Sequence, residues 1–168
     1  MNVKKFGVLI VGLVTLIIGM IVFARTMIYP LNNKGIIEKY GEKYNVDPIL
    51  IAAVIHFETN FEPVEYVEGK PSGLMKITDE AGIKIAKEMG ENLYKKEQVA
   101  ENDTNIKLGT WYISQSYADK NYDEMMANWI IRNGKEDKEM IDYARKYYGE
   151  RIEQRVKMYK FLYPELRK

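Results

Sequence analysis

The chain has 168 residues, 46% hydrophobic and 29% charged, with a formal net charge of +1. It has no Cys and a single His, which excludes disulfides, thiolate chemistry and Cys-ligated metals, and nearly excludes a His-based metal site or a Ser-His triad. Setting aside Lys4, Lys5 and Arg25, residues 30–168 carry 22 of the 25 basic residues against 24 acids, a net charge of −2, so nothing points to nucleic acid.

Phe6 to Ala24 is a run of 19 residues without a charge or a Pro. That is close to the ~20 apolar residues that span a bilayer. It exceeds the ~7–15 residues of a cleavable signal's apolar region, and Ile21-Val22-Phe23-Ala24 is too bulky for a cleavage site. An uncleaved single-pass anchor is expected, with a cleaved signal peptide as the alternative. Lys4 and Lys5 precede the span, and the short N-terminus favours staying inside, which leaves the rest outside the cytoplasmic membrane. The expected division is 1–29 for anchor and connector and 30–168 for one folded domain, long enough for one core.

Met27 to Asn33 reads as a connector. Lys34 to Tyr44 has Ile36, Ile37, Tyr40 and Tyr44 at helical spacing, weakened by Gly41. Asp47 is then an N-cap and Pro48 a first helical residue. Seven aliphatic residues follow, Ile49 to Ile55, so this helix belongs inside the core. Glu58 shares a face with Ile51, Val54 and Ile55. It stands near the helix C-terminus, where the dipole disfavours negative charge. A carboxyl so badly placed is expected to have a raised pKa and is a candidate general acid. On this reading Glu58→Gln costs no stability. His56 is a bystander on the same helix.

Pro63 ends the helix region, and Pro63 to Ser72 reads as a loop with a small hairpin. Thr78 caps a helix through about Met89, with Asp79 and Glu80 in its first turn and Gly90 after it. Glu91 to Glu101 is polar and weakly helical. Asn102-Asp103-Thr104-Asn105 opens another helix, through Tyr117. Tyr122 to Ile131 is the next, broken by Arg132-Asn133-Gly134-Lys135. Lys138 to Tyr148 and Arg151 to Tyr163 are two more. The class is mainly α with at most a minimal sheet.

Three segments carry a pattern. Glu58-Thr59-Asn60-Phe61-Glu62-Pro63 ends the apolar helix, Gly73-Leu74-Met75-Lys76 follows, and Asn105-Ile106-Lys107-Leu108-Gly109 lies in a later helix. Together they resemble the catalytic domain of soluble-type lytic transglycosylases, the lysozyme-like enzymes that cleave peptidoglycan. That family has Glu-Ser, Phe-x-Pro, Gly-Leu-Met-Gln and Asn-Ile-x-x-Gly in this order. The resemblance covers about Ile36 to Tyr163. It implies a lysozyme-like helical domain that cuts the β-1,4 bond between N-acetylmuramic acid and N-acetylglucosamine, leaving 1,6-anhydro ends, without a cofactor. It implies Glu58 as the one catalytic acid. Thr59 stands for the Ser beside it. Met75 and Lys76 fall at the sugar groove, and Thr78 stands where a backbone carbonyl meets an N-acetyl group. It implies peptidoglycan strands as partner, possible but unidentified cell-envelope proteins, and a membrane-anchored domain outside the cytoplasm.

The chain departs from the pattern further on. The family's Ala-Tyr-Asn-Ala-Gly segment corresponds to Ala127-Asn128-Trp129-Ile130-Ile131. There Trp129 is expected to replace the Tyr as a sugar platform, and Asn and Gly are lost at Ile130 and Arg132. The family's acid-orienting Tyr falls near Arg155, Tyr147 and Tyr148, with no assignable role. These departures keep open a degenerate domain that binds glycan or a partner without cleaving. A lysozyme-like hydrolase is the other alternative, although no second acid lies on an apolar face.

Overall fold

The computed structural model describes residues 3–91, 95–117, 121–134 and 136–166, with side chains from residue 7. Parts of the expected 91–101 helix and of the 132–135 break, and the side chains of Lys4 and Lys5, lie outside the described residues. Helix α1 is Val3–Phe23, continued by a π turn at Ala24–Ile28. The stretch Gly7–Ile28 is long and apolar enough to cross a membrane, with a mean hydropathy of 2.8 and none of it buried.

The remaining chain is helical: α2 (Lys34–Tyr44), α3 (Pro48–Thr59), α4 (Asp79–Glu88), α5 (Asn102–Ser116), α6 (Tyr122–Ile130), α7 (Lys138–Tyr143) and α8 (Gly149–Leu162). A 3-10 turn at Lys96–Ala100 is what the polar stretch before α5 forms. Among the described residues the expected hairpin is reduced to two isolated antiparallel bridges, Val64 to Gly73 and Ser72 to Ile77.

α3 is the axis of the core. The Asp47 side chain accepts from the Ile49 N–H, Pro48 sits in the first turn, and every residue from Pro48 to Ile55 is buried. It packs against α8 and α2. Gly41 is a contact point of α2: a Cβ there would meet the Val46 carbonyl oxygen at 2.8 Å. The two expected C-terminal helices are one continuous helical run, because a π turn at Ala144–Tyr148 leads directly into α8. Gly149 does not end a helix; its φ of −55° and ψ of −51° are helical. It is there because a Cβ would lie 2.8 Å from the Cα of Asp123 in α6.

The segment after α1 is tied to the C-terminal end of the fold. Arg25 pairs with Glu165 and stacks on the Tyr163 ring. The Tyr159 hydroxyl donates to the Pro30 carbonyl at 2.8 Å. The Tyr163 hydroxyl lies 2.9 Å from the Arg25 carbonyl oxygen and 2.7 Å from that of Tyr29. Tyr29 also lies edge-on to His56, at 4.9 Å between ring centroids.

Candidate active site

Glu58 stands one turn after the last fully buried residue of α3. Two αL residues, Asn60 (φ 52°) and Phe61 (φ 64°), turn the chain away immediately after it. The carboxylate is therefore fixed at the mouth of the core. It lines a cleft of about 580 Å³ shared with Phe57, Lys70, Lys76, Thr78, Glu80 and Tyr148, among others.

The carboxylate is not unpartnered, as its apolar face had suggested. Its Oε1 accepts from the Trp129 indole Nε1 at 2.7 Å and from the Arg132 Nη2 at 2.8 Å. The side chains are 10% exposed for Glu58 and 5% for Arg132. Glu58 is thus half of a buried ion pair rather than alone on an apolar face. Burial pushes the Arg132 pKa down, and the charge of Glu58 opposes that shift. Among the described residues, Oε2 of Glu58 has no protein partner and is left for the cleft.

Arg132 does more than pair. Its Nη2 also lies 3.1 Å from the carbonyl oxygens of Met75 and Lys76, and its Nη1 donates to the Trp129 carbonyl at 2.9 Å. Its guanidinium carbon stands 4.1 Å from the centre of the Trp129 ring. Asn133 continues the contact. It accepts from the Thr78 N–H at 2.9 Å and donates to the Lys76 carbonyl at 3.0 Å. Arg132, where the family's Gly is lost, delivers polar atoms to the acid, because α6 ends at Ile130 and the next turn brings Arg132 to Glu58.

The loop that carries these carbonyls is held from α5. Asn105 is fully buried. Its Oδ1 accepts from the Met75 N–H at 2.7 Å, and its Nδ2 donates to the carbonyls of Val99 at 2.7 Å and Ser72 at 3.0 Å. One turn on, Gly109 leaves room for the Met75 sulfur. Gly73 has a φ of +73°, and a Cβ there would crowd Asn105 and approach the Val99 carbonyl oxygen to 2.9 Å. Lys76 takes a φ of +47°, unusual for a residue with a Cβ. The pattern Gly73-Leu74-Met75 with Asn105 and Gly109 is thus one packing unit.

The other expected site residues fall as follows. The Thr59 hydroxyl donates to the Leu74 carbonyl at 2.8 Å, tying the helix end to the loop. Lys76 and Thr78 line the cleft. The Thr78 hydroxyl also caps α4 by accepting from the Ala81 N–H. The Met75 side chain is fully buried and Trp129 is 1% exposed. Trp129 reaches the site through its indole N–H, with its ring against Tyr112 at 6.0 Å, and presents no open face as a platform. Tyr148 lines the cleft and meets Phe57 edge-on at 5.0 Å. Arg155 lies beside the Phe57 ring, 5.4 Å from its centre. Buried Asp79 holds the cleft's far loop, accepting from the Tyr66 hydroxyl and the Gly69 N–H. Among the described residues no group of three or more acidic or His side chains is gathered to hold a metal. Sequence reasoning missed Arg132, Asn133 and Asp79 as site-builders. The one signal available was a polar Arg-Asn pair placed directly after an apolar helix.

A family model described as "Transglycosylase SLT domain" matches residues 35–131, more than half of the chain. Among solved structures, the chain is similar to an inactive mutant of the lytic transglycosylase Slt from Pseudomonas aeruginosa, with a TM-score of 0.64 and 18% identity. That match covers 79% of this chain and 24% of the other, so the chain spans about a quarter of the length of that enzyme. The mainly helical, lysozyme-like fold is therefore as expected. A search of curated proteins finds no match.

Proposed function

Since the chain belongs to the transglycosylase SLT domain family, we propose that it cleaves the β-1,4 bond between N-acetylmuramic acid and N-acetylglucosamine in peptidoglycan without adding water. The observation that carries this reading is Glu58. It is an acid with one oxygen held by two donors and the other free at a cleft.

Glu58 protonates the leaving glycosidic oxygen through Oε2. The substrate's own N-acetyl group supports the anomeric centre. Glu58, now a carboxylate, takes the proton from the 6-hydroxyl, and the anhydro ring closes. Oε1 keeps its two donors throughout, so the acid does not swing between steps. Thr59 fixes the helix end against the loop. Lys76 and the Thr78 backbone carbonyl bind sugar substituents, with Met75 acting through its backbone. Trp129 acts on Glu58 and meets sugar only at its edge. α1 anchors the protein as a single-pass membrane helix, with residues 30–168 outside the cytoplasm.

The test is digestion of purified peptidoglycan by the full chain in detergent, with Glu58→Gln as control. Anhydro-muropeptides, about 18 Da below the hydrolysed products through loss of water, are expected from the wild type alone. A folded Glu58→Gln protein of full activity would rule out the acid. Protease added to intact protoplasts should remove residues 30–168; protection of that domain would reverse the topology.

Two other readings each have one observation in favour. Glu80 lines the same cleft, as the second carboxylate of a hydrolase would; it predicts reducing-end products only. The buried ion pair would suit a domain that binds glycan without cleaving it; it predicts retention on peptidoglycan with no soluble product.

A further inference from the structure

We infer that Arg132 is a positioning residue for Glu58: together with Trp129 it fills both acceptor directions of Oε1 and commits the transferable proton to Oε2. The inference rests on the acid role proposed above.

A carboxylate oxygen accepts about two hydrogen bonds in its plane. Oε1 of Glu58 has two, at 2.7 and 2.8 Å, from donors that are both buried. A proton taken up by Glu58 therefore goes to Oε2, the oxygen left for the cleft. Arg132 also fixes the other donor. Its Nη1 holds the Trp129 carbonyl and its face lies on the Trp129 ring. The two donors move as one body.

The same guanidinium turns the Met75 and Lys76 carbonyls inward, across the acid. Lys76 holds the left-handed backbone that this turn requires. Acid and loop thus share one anchor, and a shift in either is transmitted to the other.

Stability alone is a poor account of this arrangement. A buried ion pair often contributes no more than apolar residues of similar volume. Here the pairing is incomplete as well, because among the described residues the buried Arg132 Nε has no hydrogen-bond partner. Four polar atoms placed around a cleft acid, at that cost, point to a use.

Among the described residues, Arg132 alone makes an ion pair with Glu58.

The experiment measures kcat and KM for the full chain in detergent, acting on peptidoglycan. Arg132→Gln is expected to lower kcat about 10²-fold through lost orientation, while KM changes little. Arg132→Lys should recover only part of kcat, since one ammonium cannot reach all four oxygens. A folded Arg132→Gln enzyme with unchanged kcat overturns the inference. So does loss of kcat with an equal or larger rise in KM, which marks a merely structural role. If Arg132→Gln does not fold, Arg132→Lys decides: reduced kcat at unchanged KM supports the inference, and wild-type kcat overturns it. Glu58→Gln separates the two levels. An active Glu58→Gln enzyme sinks the acid reading itself, while an inactive one beside an indifferent Arg132→Gln sinks only the role of Arg132.

Discussion

Asn105→Ala should be the most damaging small change outside the cleft. The amide is fully buried and joins three segments: the loop at Met75, the bridge at Ser72 and the 3-10 turn at Val99. Truncation leaves the Met75 N–H and the Val99 carbonyl without these partners, while the Ser72 carbonyl keeps the Ile77 N–H; Ser72, Met75 and Val99 are themselves fully buried. Each unsatisfied group costs about 1–3 kcal/mol. A water molecule in the vacated space would recover part of this, since such a site offers it three polar partners. A net loss of about 3 kcal/mol is therefore expected, lowering Tm by roughly 10 °C. The effect should extend to activity, because the same loop brings the Met75 and Lys76 carbonyls to Arg132. Urea unfolding of the full chain in detergent, followed by the circular dichroism of the helices, gives the first quantity and peptidoglycan digestion the second. A loss below about 1 kcal/mol, the size of one ordinary hydrogen bond, would mean that Asn105 does not hold the loop, and the account of the Asn105–Gly109 motif would fall with it.

Glu58→Gln should lower stability by about 2 kcal/mol, because Arg132 stays buried without a counter-charge; equal or greater stability in urea unfolding would refute the pairing. Gly149→Ala should cost about 1–2 kcal/mol, since the new Cβ would meet the Asp123 backbone at 2.8 Å; a stabilised variant would show that α6 can give way. His56 has its pKa lowered from 6.5 to about 4, first by burial and then by the charge of Arg155. Below pH 6.5 the unfolded chain takes up a proton that the folded chain refuses, so stability falls as pH drops from 6.5 to about 4 and this contribution is level outside that window. Allowing for its partial exposure, the loss specific to His56 is roughly 1–2 kcal/mol. His56→Gln should show a correspondingly flatter pH–stability curve, and identical curves would place His56 in solvent.

How far the sequence carried depended on the range of the interaction. The start of α3 was legible to the residue because its determinants are local: a cap at Asp47, a Pro at 48 and an unbroken aliphatic run. α2 and α4 were legible for the same reason. The continuity of α7 with α8 was not legible, because Gly149 is required by a neighbour 26 positions earlier, which local spacing does not reveal. Glu58 stood out because it offends local rules: an acid on an apolar face at the wrong end of a helix dipole. That conflict shows only that something distant compensates. The compensating groups are Trp129 and Arg132, 71 and 74 positions away, and neither spacing nor propensity reaches so far. Family pattern made the matter harder, since it supplied a different residue at that place and turned Arg132 into a loss. A chemical rule would have done better: a buried carboxylate requires a partner. Arg132 follows the apolar pair Ile130-Ile131, both half-buried, and is itself buried. A cation drawn into the core and an acid already there satisfy each other, and that inference needs only the two local patterns and the cost of burying either charge alone.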